Sequence, residues 1–332
     1  MFKDQTILIT GGTGSLGKKL VKYFLFQTQA KKIIVFSRDE LKQSQMQKIL
    51  LPHDADDRLR FFIGDVRDLQ RLRRALHGVD IVIHTAALKQ VPALEYNPIE
   101  AIKTNIYGSQ NVVEASIDEG VKKVLLISTD KAAQPINLYG ATKLAAEKLF
   151  IAANSYGAGK TIFSAVRYGN VIGSRGSIVD LLLNSPEADK IGITHPEMTR
   201  FWITLDQAVQ LVVFALENME GGEIFIPKIP SMKLIDLFEA ITPGVNRAVS
   251  GIRPGEKIHE DLVNEHESAC GYELENNYVI LPQFIFFAEG VYDKYKKDGK
   301  KLTEGFSYKS NQNDKWLNKD EIAKIVKELT IG

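Results

Sequence analysis

Tyr139 and Lys143 lie four residues apart in "LYGATK" (138–143), a spacing that puts both side chains on one helical face. An ammonium beside a phenol lowers the phenol's pKa, and the resulting base can take a proton from an alcohol or sugar hydroxyl. Just ahead runs "KVLLISTDK" (123–131), an apolar stretch that ends in Ser128, Thr129, Asp130 and Lys131. Hydroxyl, carboxyl and amine groups therefore follow one another at a strand end, shortly before the Tyr-Lys pair.

A YxxxK spacing is common by chance, so its context matters. The chain opens with "TILITGGTGSLG" (6–17), in which Gly11, Gly14 and Gly17 form a GxxGxxG loop between a strand and a helix. Such a loop turns tightly and lets backbone N–H groups approach a pyrophosphate at a helix N-terminus. Thr13, Ser15 and Leu16 belong to the same cofactor-facing loop. The second strand ends in "VFSRDELK", where Ser37, Arg38 and Lys42 suit the 2′-phosphate of NADP. Asp39 and Glu40 are expected to favour the positive end of the next helix. Asp65 and Val66 close the third strand, where they would hold the adenine; Asp65 could equally cap the following helix. Ala86 and Lys89 follow the fourth strand and Val171 the sixth, all at the same sheet edge. Lys89 could reach cofactor, sugar or solvent.

These groups need a scaffold that brings strand ends together. Short β-branched runs at 6–10, 32–37, 59–64, 80–87, 123–129 and 161–171 alternate with helical patterns at 15–28, 38–50, 67–77, 97–118 and 139–155. This alternation predicts an α/β fold: a Rossmann-type doubly wound parallel sheet that binds ligands beyond the carboxyl ends of its strands. After residue 173 the pattern loosens. The predicted organisation is an NADP-binding domain over 1–172, rejoined by 204–228. A smaller mixed α/β substrate domain and a C-terminal tail cover 173–203 and 229–332.

Bulk composition narrows the partners. The chain has 332 residues, 44% hydrophobic and 25% charged, with net charge +1, so bulk charge offers no attraction to nucleic acid or an anionic membrane. The one Cys, Cys270, allows no internal disulfide and fits a reducing, cytoplasmic setting. No apolar run is long enough to span a membrane. The six His show no metal-ligand spacing, so no metal is expected.

Taken together, "TGGTGSLG", "STD" and "YGATK" resemble the extended short-chain dehydrogenase/reductase family. "SRDELKQS", "RFFIGDVRDL", "MTRFWIT", "GGEIFIPKIPSMK" and "GIRPGEK" are similar, in order along nearly the whole chain, to the inverting UDP-N-acetylglucosamine 4,6-dehydratases that begin pseudaminic acid synthesis for flagellin or surface glycans. An epimerase needs only the Tyr-Lys pair, whereas a 4,6-dehydratase must also remove the proton at carbon 5 and expel the hydroxyl at carbon 6. The resemblance implies Lys131 as that base, made neutral by desolvation and the nicotinamide cation. It implies Asp130 as the acid and Thr129 as a hydrogen-bond partner of the carbon 4 oxygen. It further implies Asn105 as a support for the catalytic lysine at the cofactor. Lys89, Asn170, Arg175, Arg200, Arg253 and Glu256 are the implied contacts of UDP-N-acetylglucosamine, with both Arg200 and Arg253 on the pyrophosphate. A homo-oligomer, dimer or hexamer, is expected, with helices 97–118 and 139–155 as a dimer surface. The segment 180–197, expected to close the sugar pocket, departs from the family pattern. Rival readings are a retaining dehydratase or a nucleotide-sugar 4-epimerase. A non-catalytic NADP sensor is disfavoured by the intact Tyr-Lys pair.

Overall fold

The computed structural model describes residues 2–157, 159–184, 191–245, 247–284 and 289–331. Residues 185–190, part of the divergent 180–197 segment, lie outside this set. The first half alternates β1 (Thr6–Thr10), α1 (Ser15–Gln27), β2 (Lys32–Ser37), α2 (Glu40–Leu50), β3 (Leu59–Ile63), α3 (Leu69–Leu76), β4 (Ile81–His84), α4 (Val91–Tyr96), α5 (Pro98–Ala101), α6 (Gly108–Asp118), β5 (Lys123–Ile127), α7 (Leu138–Ala153) and β6 (Ile162–Val166). The second half holds β7 (Asn170–Val171), α8 (Ile178–Asn184), β8 (Thr199–Ile203), α9 (Leu205–Asn218), β9 (Ile224–Pro227), β10 (Ser231–Lys233), α10 (Leu234–Ile241), β11 (Asp261–Val263), β12 (Gly271–Glu273), β13 (Asn277–Ile280), α11 (Asp293–Asp298), β14 (Lys300–Lys301), β15 (Tyr308–Lys309) and α12 (Lys319–Ile331).

The main sheet runs β14-β12-β13-β9-β6-β5-β4-β1-β2-β3. From β3 to β9 neighbouring strands are parallel, in keeping with the strand-helix alternation. Its central strands are buried on both faces, as β1 (all five residues) and β4 illustrate, while the edge strands β3 and β14 are partly or fully exposed. The order reverses between β1 and β4, which opens a crevice at the carboxyl ends. The sheet takes in more of the chain than the hydrophobic pattern suggests. β13 pairs antiparallel with β9, β12 with β13, and β14 with β12. These added strands are two to four residues long and partly polar, so they carry little periodic signal.

Two predicted elements divide. The pattern read as one helix over 97–118 breaks into α5, a π-helical stretch at Ile102–Tyr107, and α6. The strand predicted over 161–171 ends at Val166, and 170–171 pairs with β8 in a separate three-stranded sheet. Gly169 permits this change of course, because a Cβ there would lie 2.5 Å from the Phe201 Cβ. A second apolar core gathers Ile172, Val179, Trp202, Met232, Leu237, Ile322 and Val326, so α12 packs under the second half of the chain. No helix among the described residues is long and apolar enough to cross a membrane.

Candidate active site

The Gly-rich loop is built for close approach. Gly11 has φ +64°, and a Cβ there would sit 2.8 Å from Thr85 Oγ1 and 2.9 Å from the Ala86 backbone. A Cβ at Gly17 would lie 2.6 Å from the Gly11 carbonyl oxygen. Gly14 caps α1 without a side chain to occupy the first-turn N–H groups. Those donors and the positive helix end are therefore open to an anionic ligand. This loop forms one end of a cavity of about 990 Å³ at the crevice.

Thr13, Ser15 and Leu16 line the cavity with the glycines; Ser37, Arg38, Lys42, Asp65 and Val66 line it at the ends of β2 and β3. Asp39 caps α2, accepting the Lys42 backbone N–H at 2.9 Å, and also pairs with the Lys42 ammonium at 2.5 Å. Asp65 is held chiefly by Arg67, whose Nη2 lies 2.7 Å away, and more loosely by Arg38 at 3.5 Å. Lys18, which the sequence motifs did not single out, faces Arg175, Lys22 and Lys42. Burial and those three cations lower its pKa.

The residues expected to do acid–base chemistry sit at the other end. Thr129 caps a 3₁₀ turn over Asp130–Ala132, and its hydroxyl donates to Asp130 Oδ1 at 2.9 Å. Asp130 is fully buried, its N–H bonded to the Tyr168 carbonyl. Asn137 caps α7 by accepting the Gly140 N–H at 2.8 Å, so Tyr139 and Lys143 fall in the first turns of that helix. Thr129, Lys131, Tyr139 and Lys143 share the cavity with Ala86, Lys89, Asn170, Val171 and Arg175. Lys89 is partly buried, which lowers its pKa against the opposing charge of Asp180. Among the described residues no cluster suits a metal ion.

Electrostatics depart from the sequence expectation at two residues. Lys131 is not drawn toward neutrality: burial pulls its pKa down, but the charges of Asp130 and Glu260 more than offset this and hold it above the ordinary lysine range. Its Nζ lies 3.1 Å from Asp130 Oδ1 and 3.2 Å from Glu260 Oε1. Tyr139 is likewise not lowered by Lys143. Burial raises the phenol, and the charge that opposes this is that of Lys131. Lys143 itself is pushed down to about 8 by burial, against the opposing charge of Glu147.

Several expected ligand contacts turn inward. Asn105 does not line the cavity. Its side chain bonds both the N–H (2.8 Å) and C=O (2.9 Å) of Leu88 and donates to Thr142 Oγ1 at 3.0 Å, tying the loop after β4 to α7. Arg200 is buried and donates to the carbonyls of Thr199, Lys257 and Ile258 at 2.7–3.0 Å, so it is not a free pyrophosphate clamp. Arg253 is exposed on a loop with Glu256, whose Oε2 accepts the Arg253 N–H at 3.3 Å. Neither lines the cavity, but Asn137 holds this loop beside α7 by donating to the Gly255 carbonyl at 2.7 Å.

Sequence reasoning missed two buried groups. Glu260 sits against Lys131, and Arg167 bridges Glu147 and Glu267 with contacts of 2.7–2.9 Å. Neither belongs to a local motif, and only the fold brings 131 to 260 or 147 to 267.

A Gly-rich loop at the switch point of a parallel sheet, with a half-buried Tyr139 and a buried Lys143 on the facing helix, defines an extended short-chain dehydrogenase/reductase. The chain belongs to the family described as polysaccharide biosynthesis protein, whose model matches residues 7–282. It is 49% identical over 98% of both chains to a UDP-N-acetylglucosamine 4,6-dehydratase (inverting) of Campylobacter jejuni. It is 40% identical to a UDP-glucose 4-epimerase of Rickettsia felis, over 99% of this chain and 97% of that one. Among solved structures, Pen from Bacillus thuringiensis matches with TM-score 0.88 and 37% identity, each chain covered in full.

Proposed function

We propose that this chain is an NADP-dependent UDP-N-acetylglucosamine 4,6-dehydratase that inverts carbon 5, giving UDP-2-acetamido-2,6-dideoxy-β-L-arabino-hexos-4-ulose. The observation that carries this reading is the Asp130–Lys131 turn packed against Tyr139 and Lys143 at one cavity. It stands in a chain similar along its length to an inverting dehydratase.

The cofactor fits the residues present. The open first turn of α1 and its glycine loop suit a pyrophosphate, and Arg38 and Lys42 suit a 2′-phosphate. When bound, the nicotinamide would accept hydride from carbon 4 and return it to carbon 6. Tyr139, whose buried phenol must first ionise against the Lys143 cation and the bound nicotinamide, would take the proton of the carbon 4 hydroxyl, and Thr129 would hold that oxygen. Lys131, once its proton has passed to Asp130 across 3.1 Å, would remove the proton at carbon 5, and Asp130 would give the received proton to the hydroxyl leaving carbon 6; after hydride reaches carbon 6, a solvent-derived proton added to carbon 5 from the opposite face completes the inversion. Arg253, exposed beside the start of α7, is the proposed UDP pyrophosphate contact, with Asn170, Arg175 and Lys89 toward the sugar.

The similarity to an epimerase supports a second reading, in which Tyr139 and Lys143 act alone and no water is lost. Incubation with UDP-N-acetylglucosamine in deuterated water, followed by NMR, separates the two. The dehydratase gives a 6-deoxy-4-keto product with solvent deuterium at carbon 5 and L-arabino couplings, and no free NADPH builds up. An epimerised sugar without carbon 5 deuterium, or a D-xylo product, refutes the inverting assignment. For the cofactor, Arg38→Ala should weaken NADP by roughly ten- to a hundred-fold and spare NAD, the effect of one charge-assisted contact. Equal loss for both nucleotides defeats the NADP assignment.

A further inference from the structure

Two buried carboxylates away from Lys131 are well provided with donors. Glu147 accepts from Ser128 at 2.5 Å and from Arg167 at 3.1 and 2.7 Å. Glu223 accepts from Ser164 at 2.7 Å, from Tyr295 at 3.0 Å and from the Glu220 and Gly221 N–H groups at 2.7 and 2.8 Å. Glu260 is different. It is 2% exposed, yet its Oε2 has no hydrogen-bond partner among the described residues. Its nearest cation is Lys131 at 3.2 Å; Arg200 and Lys257 stand off at 3.8 and 3.9 Å. Across the ammonium, Asp130 Oδ2 is also buried without a partner. A buried carboxylate that leaves an oxygen unbonded is costly, and a merely structural one would be fully bonded. Its one close contact is with the residue proposed to take a proton from substrate.

We infer that Glu260 is a positioning residue for Lys131: its carboxylate fixes the amine opposite Asp130, where the 257–263 segment meets the catalytic turn, and sets the pH at which that amine becomes a base. This rests on the reading of Lys131 as the carbon 5 base. The groups facing the amine are Asp130 from its own turn, Tyr139 from α7, Arg200 from β8 and Glu260 from the segment before β11. Lys257 and Asp130 also face Glu260. The backbone N–H of Glu260 is anchored on Ser310 at 2.9 Å, which fixes where the carboxylate stands. Burial raises the pKa of the Glu260 carboxyl, against the charges of Lys131, Arg200 and Lys257; its charged form is one of the two anions that keep Lys131 an ammonium, and Glu260 comes from the second half of the chain. Removing its charge leaves Asp130 on one side and the Arg200 cation on the other, so the ammonium is less favoured and loses its proton at lower pH.

The test uses the full-length chain as wild type, Glu260→Gln and Glu260→Asp. Competitive acetylation across pH, read by mass spectrometry of the peptide carrying Lys131, reports the amine's ionisation without reference to turnover. In Glu260→Gln the pH at which Lys131 becomes reactive should fall by about one unit or more, and in Glu260→Asp it should stay near the wild-type value. Turnover of UDP-N-acetylglucosamine by Glu260→Gln should fall by more than about tenfold, because the amine is no longer held opposite Asp130, while each product molecule formed still carries solvent deuterium at carbon 5. It should fall less in Glu260→Asp. An unmoved reactivity profile in Glu260→Gln overturns the inference, whether or not thermal stability drops. A shifted profile with wild-type turnover overturns the positioning role. If the wild type forms no dehydrated product, the functional reading fails, while the acetylation result still decides whether Glu260 sets the ionisation of Lys131.

Discussion

Lys131 is an ammonium in its own surroundings, and a base cannot be. Asp130 and Glu260 favour the charged form, so a base is made only if the ammonium proton passes to a neighbour when substrate and cofactor rearrange these charges; its passage to Asp130, 3.1 Å away, makes the amine a base and the carboxyl an acid together. Lys131→Met keeps the unbranched stem of the side chain and removes the amine. It should leave NADP binding intact and lower turnover by about 10²–10⁴, the usual contribution of a general base. A near-normal rate would remove Lys131 from the mechanism. Lys143 is the opposite case, since burial pushes it down to about 8. Its cation, proposed to support Tyr139 and the cofactor, is present below that pH and lost above it. NADP affinity measured without substrate should therefore decline as pH rises through about 8. Tyr139 does not titrate in that window, because burial holds the phenol above its ordinary range. In Lys143→Met the binding curve should be weak and flat there. A wild-type curve without a break near 8 would show that Lys143 does not contribute as a cation.

The turn after β5 and the first turn of α7 act as one unit, and Gly140 is where they touch. A Cβ at Gly140 would run into the Lys131 carbonyl oxygen and lie 3.1 Å from Pro135 Cβ. Alanine is normally the better helix former by about 1 kcal/mol. Here Gly140→Ala should fail to stabilise and should cut turnover sharply, because the turn carrying Asp130 and Lys131 must move away from Tyr139. Equal or higher melting temperature with unchanged turnover would show that the contact has slack. The same elements mark what the sequence could reveal. The Gly loop and the Tyr139–Lys143 pair were legible because their geometry is local, fixed by a turn and a helical repeat. Five of the six N-terminal strands were legible because burial on both faces leaves continuous apolar runs, and the edge strand β3 because its short apolar run is bounded by turn residues. The inward roles of Asn105 and Arg200 were not, since the residue type suits a ligand and a backbone carbonyl equally. Glu260 was hidden because its partner is distant in sequence. The nearer motif pointed to Glu256, which the fold leaves outside the cavity.

The site joins the two halves of the molecule, and a buried ion network holds the join. Arg167, just after β6, is fully buried and grips Glu147 on α7 through Nε at 3.1 Å and Nη2 at 2.7 Å. On its other side it grips Glu267 at 2.8 and 2.9 Å and the Leu262 carbonyl at 2.9 Å. Asn264, in the same C-terminal stretch, donates to the Ala133 carbonyl beside the catalytic turn. The helix bearing Tyr139 and Lys143 and the stretch that follows Glu260 are thus fastened through one guanidinium, and Asn264 ties the turn bearing Asp130 and Lys131 to that same stretch. Assembling two carboxylates and a guanidinium in a dry interior gives little net stability, but removing one partner leaves buried charge uncompensated. Arg167→Met should therefore destabilise by about 3–5 kcal/mol in denaturant titration. Arg167→Lys should recover only part of this, because an ammonium lacks the planar fork that bonds both carboxylates at once. Combining Arg167→Met with Glu147→Gln and Glu267→Gln should recover stability relative to Arg167→Met alone, since no anion is then left unpaired. Turnover should stay low in that triple variant, as the catalytic turn and the Glu260 segment lose their common anchor. Full activity in a stable triple variant would mean that packing alone aligns the two halves.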